Sequence, residues 1–230
     1  MIPATISAIR QATPTIKVFT LDTGGEQFQF KAGQWLDFYV DLDGEEGIGG
    51  YSMTSSPLTA GSVELAIKES EANPVTRHLH ERTRVGDRVT IDGGQGDCYY
   101  EAGMAASLVL VAGGIGITPI ISIVRYSTVA TPEVPVTLLY AATSPEELLF
   151  REELETLAAR DPRFRVEFYV TRGEAGPLHA GHIDEDALRA TLDREAVYFV
   201  CGPPAMIDRT VEILGHLGIP PAHVRFERWW

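Results

Sequence analysis

Residues 108–119 read Leu108-Val109-Leu110-Val111-Ala112-Gly113-Gly114-Ile115-Gly116-Ile117-Thr118-Pro119. Four aliphatic residues in a row form the short, continuously apolar run that a strand covered on both faces needs. The run ends in glycines. These let a backbone approach a phosphate closely, and a helix that follows offers it free N–H groups; the same glycines also serve a turn that only packs helix on sheet. Thr118 adds a hydroxyl, and Pro119 suits the first helical position, where no N–H is required. The loop departs from the ordinary dinucleotide fingerprint. Counted from Gly114, the third glycine position holds Pro119, and the next strand candidate ends in Tyr140-Ala141-Ala142-Thr143 with no acidic residue.

Outward from this loop, strand and helix alternate to the C-terminus. Residues 136–140, 165–170 and 197–200 repeat the apolar strand character. Between and after them, 119–126, 146–159, 184–192 and 205–217 read as helices, the βαβ pattern of a nucleotide-binding sheet. The first half has a different period. Residues 15–21 alternate polar with apolar, 34–40, 62–68 and 88–92 are further short strands, and Gly24-Gly25, Gly44 and Gly86-Asp87 supply turns. One helix is expected over 75–82, opened by Pro74. The expected fold class is therefore a two-domain chain: an antiparallel β-barrel over residues 1–104, then an α/β Rossmann-like parallel sheet over residues 105–230.

The chain of 230 residues carries 32 acidic against 19 basic groups, a formal charge of −13. That balance opposes nucleic acid and anionic membrane surfaces. The acidic excess is spread over both halves, but all three lysines, Lys17, Lys31 and Lys68, lie in the first. Two cysteines, Cys98 and Cys201, make neither a disulfide framework nor a four-cysteine metal site, which fits a reducing, cytoplasmic location. The N-terminus lacks the pattern of a signal peptide, and the longest apolar run is broken by glycine and proline. His78 and His80, and His179 and His182, have no partners at metal-ligand spacing, so no metal is expected. Arg77, Arg82, Arg84 and Arg88 form the one dense basic run, either a solvated face or a local docking patch.

Four segments, in order, carry a resemblance to the ferredoxin–NADP reductase superfamily. They are Lys31-Ala32-Gly33-Gln34, Gly49-Gly50-Tyr51-Ser52, the Gly113–Pro119 loop, and Cys201-Gly202-Pro203-Pro204-Ala205-Met206; the ending Phe226-Glu227-Arg228-Trp229-Trp230 resembles that of some members. The chain is most similar to a subgroup of oxidoreductase NAD-binding-domain proteins. The resemblance implies a flavin-dependent NAD(P)H oxidoreductase that passes hydride from NAD(P)H to bound FAD, with FMN possible, and electrons on to an acceptor. That acceptor is a small redox protein or a small molecule. Tyr51 would stack on the isoalloxazine, Ser52 would hydrogen-bond near its N5, and Thr76 would hold flavin phosphate. Trp229 or Trp230 would cover the flavin. Gly113, Gly114, Gly116, Thr118, Pro119, Thr171, Arg172, Gly202 and Pro203 would hold the nicotinamide nucleotide. Cys201 would sit by the nicotinamide C4 and Glu227 would move a proton, so that Ser52, Cys201 and Glu227 form the expected catalytic set.

Two positions depart from the pattern. The family's arginine against the flavin pyrophosphate is Gly49 here, and a charge-assisted hydrogen bond contributes roughly 1.5–3 kcal/mol; Arg77 is the expected substitute. Thr171-Arg172 resembles the serine–arginine pair of NADP-using members, yet Thr143 stands where many members have arginine; the balance leans to NADP. Two alternatives stay open: a flavin reductase that uses free flavin as substrate, and a non-catalytic nucleotide-binding or partner module with a degenerate flavin site.

Overall fold

A computed structural model describes residues 1–25 and 28–228. The first half forms β1 (Ile2–Gln11), β2 (Ile16–Asp22), β3 (Trp35–Leu42), β4 (Glu45–Ser52), β5 (Ser62–Lys68), α1 (Pro74–Glu81) and β6 (Arg88–Gln95). Its six strands make one antiparallel sheet in the order β4-β3-β6-β1-β2-β5. The sheet curls until its edges meet: Met53 bridges Leu65, and the Thr54 amide donates to the Glu64 carbonyl at 2.8 Å. The interior is Ile6, Phe19, Leu21, Leu36, Phe38, Leu65 and Ile91, all fully buried. α1 closes one end by inserting Val75 and Leu79 into that core.

The second half forms β7 (Leu108–Gly113), α2 (Ile117–Ala130), β8 (Val136–Ala142), α3 (Arg151–Arg160), β9 (Phe164–Val170), β10 (His179–Ala180), α4 (Glu185–Ala190), β11 (Val197–Cys201), α5 (Pro204–His216) and β12 (Val224–Phe226). The sheet is parallel throughout, in the order β10-β9-β8-β7-β11-β12. All six residues of β7 are buried, as its apolar run requires. The chain winds to one side of β7 through β8 and β9, and to the other through β11. The junction between β7 and β11 is thus the switch point of the sheet, where ligands bind at the carboxyl ends of strands.

The elements differ from expectation in four places. β1 and β4 are full strands; Pro3 in the first and Gly47, Gly49 and Gly50 in the second hide the strand signal. The helix expected over 146–159 is broken. Residues 145–147 make a single tight turn, Leu148 and Leu149 are buried, and Phe150 takes a left-handed φ of 61° before α3 begins. The Tyr140 hydroxyl accepts from the Leu149 amide and fixes that break. Finally, α2 starts at Ile117, so Pro119 is its third residue rather than its first; the position still lies in the first turn, where no N–H is needed.

The halves are bound into one body. Leu108, Leu110 and Phe199 of the sheet share one buried cluster with Ile16, Val18 and Ala66 of the barrel. Arg125 of α2, at 22% exposure, donates to the Thr54 carbonyl at 2.9 Å, pairs with Glu64 at 2.8 Å and meets Glu153 of α3 at 2.7 Å. The Ser122 hydroxyl donates to the Ser55 carbonyl at 2.8 Å, and Glu147 accepts from Thr13 and Thr15. No helix among the described residues is long and apolar enough to cross a membrane.

Candidate functional site: a cleft at the switch point

Between the barrel and the carboxyl ends of β7 and β11 lies a cleft of about 640 Å³. Its walls come from four places: Gly50-Tyr51-Ser52 at the end of β4, Ala66 to Lys68 at the end of β5, the start of α1, and the two loops at Gly113–Thr118 and Cys201–Pro204. Tyr51, Ser52, Thr76, Gly113, Gly114, Gly116, Thr118, Cys201, Gly202 and Pro203 all line it. Residues from the two ends of the chain are therefore brought to one opening, as the motif order implied.

The three glycines of the first loop do different jobs. Gly113 and Gly116 make room for protein. A Cβ at Gly116 would lie 2.6 Å from the Gly202 amide nitrogen, and one at Gly113 would lie 2.9 Å from the ring of Pro203. Gly114 alone has the left-handed φ of 54° with open space around it. The expectation that all three glycines admit a phosphate thus narrows to Gly114, beside which α2 opens with no side-chain cap on its first amides. The Thr118 hydroxyl already donates to the Ile115 carbonyl at 2.9 Å, which leaves its oxygen as an acceptor only.

On the barrel side, Tyr51 lies back along its own strand. Its ring occupies the space beside Gly49, where a Cβ would sit 2.7 Å from the hydroxyl oxygen. The hydroxyl shares a hydrogen bond of 3.0 Å with Thr76, and the ring meets Phe38 edge to face. Thr76 is in turn held by the cap of α1, where the Asn73 carboxamide oxygen accepts the Thr76 amide. Arg77 does not line the cleft. It faces a neighbouring depression with Asp43, His78 and Glu81, because residue 77 follows Thr76 by one step of the helix and so points to another side. Of the basic run, Arg82 is paired with Asp43, and Arg84 is bound to the Glu81 and Thr83 carbonyls.

Cys201 is 2% exposed at the end of β11. Burial drives its thiol well above the usual range, with Cys98 and Glu227 adding to the shift, so it is a neutral thiol at pH 7. Cys98 is pushed up to about 12, again by burial first. Glu227 stands behind Cys201 rather than on the cleft wall. Its carboxylate accepts the Trp35 indole N–H at 3.1 Å, and burial raises its pKa against the opposing effect of that bond. Thr171 and Arg172 lie off the cleft, at the end of β9. Their amides donate to the Ala142 and Thr143 carbonyls, which places Thr143 and Arg172 side by side at the carboxyl edge of the sheet. Trp229 and Trp230 lie outside the described residues.

One cleft residue went unnoticed in the sequence. Lys68 ends β5 and lines the cleft, where it is the single Lys or Arg among the described residues; no Asp or Glu lines it. The signal was present in the placement of a lysine at the end of a strand just before the short helix. No cluster of metal-binding side chains occurs among the described residues. The apolar walls at Ala66, Ile67, Ile115 and Pro203, with hydroxyls at Ser52 and Thr76 and an open glycine, suit flat heterocycles carrying phosphates.

Comparison with known proteins matches both halves. Residues 4–100 match the family profile "Oxidoreductase FAD-binding domain" and residues 110–212 match "Oxidoreductase NAD-binding domain". Oxidoreductase NAD-binding domain-containing protein 1 of Xenopus tropicalis is 31% identical over 99% of this chain and 79% of its own length. Ferredoxin–NADP reductase B of Sorangium cellulosum is 31% identical over 98% of this chain and 96% of its own. Among solved structures, a ferredoxin NADP+ reductase from Neisseria gonorrhoeae with bound FAD and NADP superposes with a TM-score of 0.82 at 23% identity, covering 98% of this chain and 97% of that one. The FAD/NAD-binding domain of a Vibrio cholerae nitric oxide dioxygenase gives 0.89 at 22%, over 99% and 98%.

Proposed function

We propose an activity for a chain that belongs to the FAD- and NAD-binding oxidoreductases of ferredoxin–NADP reductase type: it takes hydride from NAD(P)H onto FAD in the cleft and hands electrons to a separate acceptor. The observation that carries this reading is the meeting of Tyr51-Ser52 from the barrel with the Gly114 and Cys201 loops at one opening. Bound flavin and nicotinamide supply the redox chemistry, and the chain supplies alignment and exclusion of water. Ser52, buried at the end of β4, offers its hydroxyl to the flavin ring. The Gly114 turn and the start of α2 take the dinucleotide phosphates. Cys201 packs as a neutral, compact group against the nicotinamide, and Glu227 behind it holds a proton within the domain junction. Arg172, exposed at the end of β9, is the cation for a 2′-phosphate, which favours NADPH. Two buried free cysteines suit a reducing, cytoplasmic setting.

A second reading, in which flavin enters and leaves as a substrate, is favoured by Tyr51 filling the space over Gly49 where an anchoring cation would stand. The net charge of −13 also disfavours an acidic protein acceptor and tilts the choice toward a small molecule. The test is reconstitution with FAD followed by anaerobic mixing with NADPH and NADH. The yellow absorbance is expected to bleach, more slowly in a Cys201→Ser variant. Protein that stays colourless after incubation with FAD and with FMN refutes the oxidoreductase reading.

A further inference from the structure

We infer that Lys68 supplies the positive charge that a phosphate group entering the cleft needs, in place of the side chain that Gly49 lacks. This rests on the flavoprotein reading above. A molecule of net charge −13 repels a diphosphate at long range, so a local cation must outweigh that field. Gly49 has no side chain, and its space is taken by the Tyr51 ring. Arg77 faces the neighbouring depression beside Asp43 and Glu81. The hydroxyls and amide at the α1 end of the cleft are neutral and already engaged: Thr76 with Tyr51, and Asn73 with the Thr76 amide.

Lys68 is what remains. It is exposed, it lines the cleft, and it makes no ion pair with any described residue. Its strand packs against the Gly114–Gly116 turn, and five residues later the chain enters α1. Lys68 therefore stands between the two parts of the cleft that offer backbone N–H groups. A lysine in this position acts as a flexible point charge, not a bidentate fork. Two sources present the shared chemistry, the phosphate of the flavin and the diphosphate of the nicotinamide nucleotide. The nearness of Lys68 to α1 and Tyr51 favours the flavin.

The experiment measures binding, not turnover. Riboflavin, FMN, FAD and NADP+ are titrated into wild type, Lys68→Gln and Lys68→Arg by fluorescence and calorimetry, with thermal unfolding as a check on the fold. Lys68→Gln is expected to weaken FMN and FAD by about tenfold. Riboflavin, which has no phosphate, is expected to bind as before, and Lys68→Arg to keep most of the affinity. The salt dependence of FAD binding should fall with the charge. A loss confined to NADP+ keeps Lys68 as the phosphate cation and assigns it to the nicotinamide nucleotide. Unchanged binding of every ligand, or an equal loss for riboflavin, overturns the inference. If wild type binds no flavin at all, it is the flavoprotein reading that fails.

Discussion

Gly116 carries more of the site than its size suggests. Its φ is ordinary, so it is glycine for space and not for conformation. Any side chain would press on the Cys201–Gly202 backbone, with the Gly202 nitrogen only 2.6 Å from a Cβ. Gly116→Ala is therefore expected to push the two loops apart and to cost about 1–3 kcal/mol. Thermal unfolding checks this: a drop of about 2–4 °C per kcal/mol is expected for a chain of this length, together with weaker nucleotide binding. An unchanged midpoint would mean that the loops do not meet as described. Gly114, one turn earlier and open to the cleft, is the position where backbone freedom matters. The sequence showed the cluster but not this division of labour, because spacing alone cannot say which glycine faces protein and which faces ligand.

At the scale of the element, β4 shows how a strand adapts to a lost side chain. Residues 47, 49 and 51 share one face. Gly47 lets Leu42 and Val75 close in, and Gly49 lets the Tyr51 ring lie down. An arginine restored at 49 would meet that ring before it met any phosphate, so Gly49→Arg alone is not expected to restore affinity. The sharper test is Gly49→Ala. It is expected to destabilise by about 1–3 kcal/mol in wild type and by clearly less when Tyr51 is also alanine, since the two sites share one volume. Additive losses in denaturant unfolding would show that the ring does not occupy the space. The same strand was hard to read in sequence because its glycines mimic turns. The strand of residues 62–68, with ordinary alternation, was legible to its boundaries.

Across the whole molecule, the Glu227–Trp35 bond ties the last strand region to the barrel's β3, residues far apart in the chain. Burial raises the Glu227 pKa above the 4.5 of an unfolded carboxyl, with Asp97 adding to the shift and the indole bond opposing it. The folded state thus holds this proton more tightly. The resulting stabilisation is complete below pH 4.5 and is lost as pH climbs through the raised value. Glu227→Gln keeps an acceptor for the indole and removes the titration. Its stability relative to wild type is expected to increase as pH is raised from acid to about 8, read by denaturant unfolding across pH. A constant difference at every pH would remove the buried-carboxylate account.

The sequence by itself determined the two architectures, the order of motifs and the cofactor class, because these depend on periodicity and on short segments whose chemistry is local. The apolar run at 108–111, the alternation at 15–21 and the Cys201-Gly202-Pro203 turn each act through their immediate neighbours. Only the tertiary structure decided which side chains share the cleft. It turned Arg77 away, brought Lys68 in, laid Tyr51 over Gly49 and set Glu227 against Trp35. Those outcomes depend on strand register, on which way a helix face turns and on how closely two loops approach. These are properties of packing between distant segments, and no window of sequence contains them.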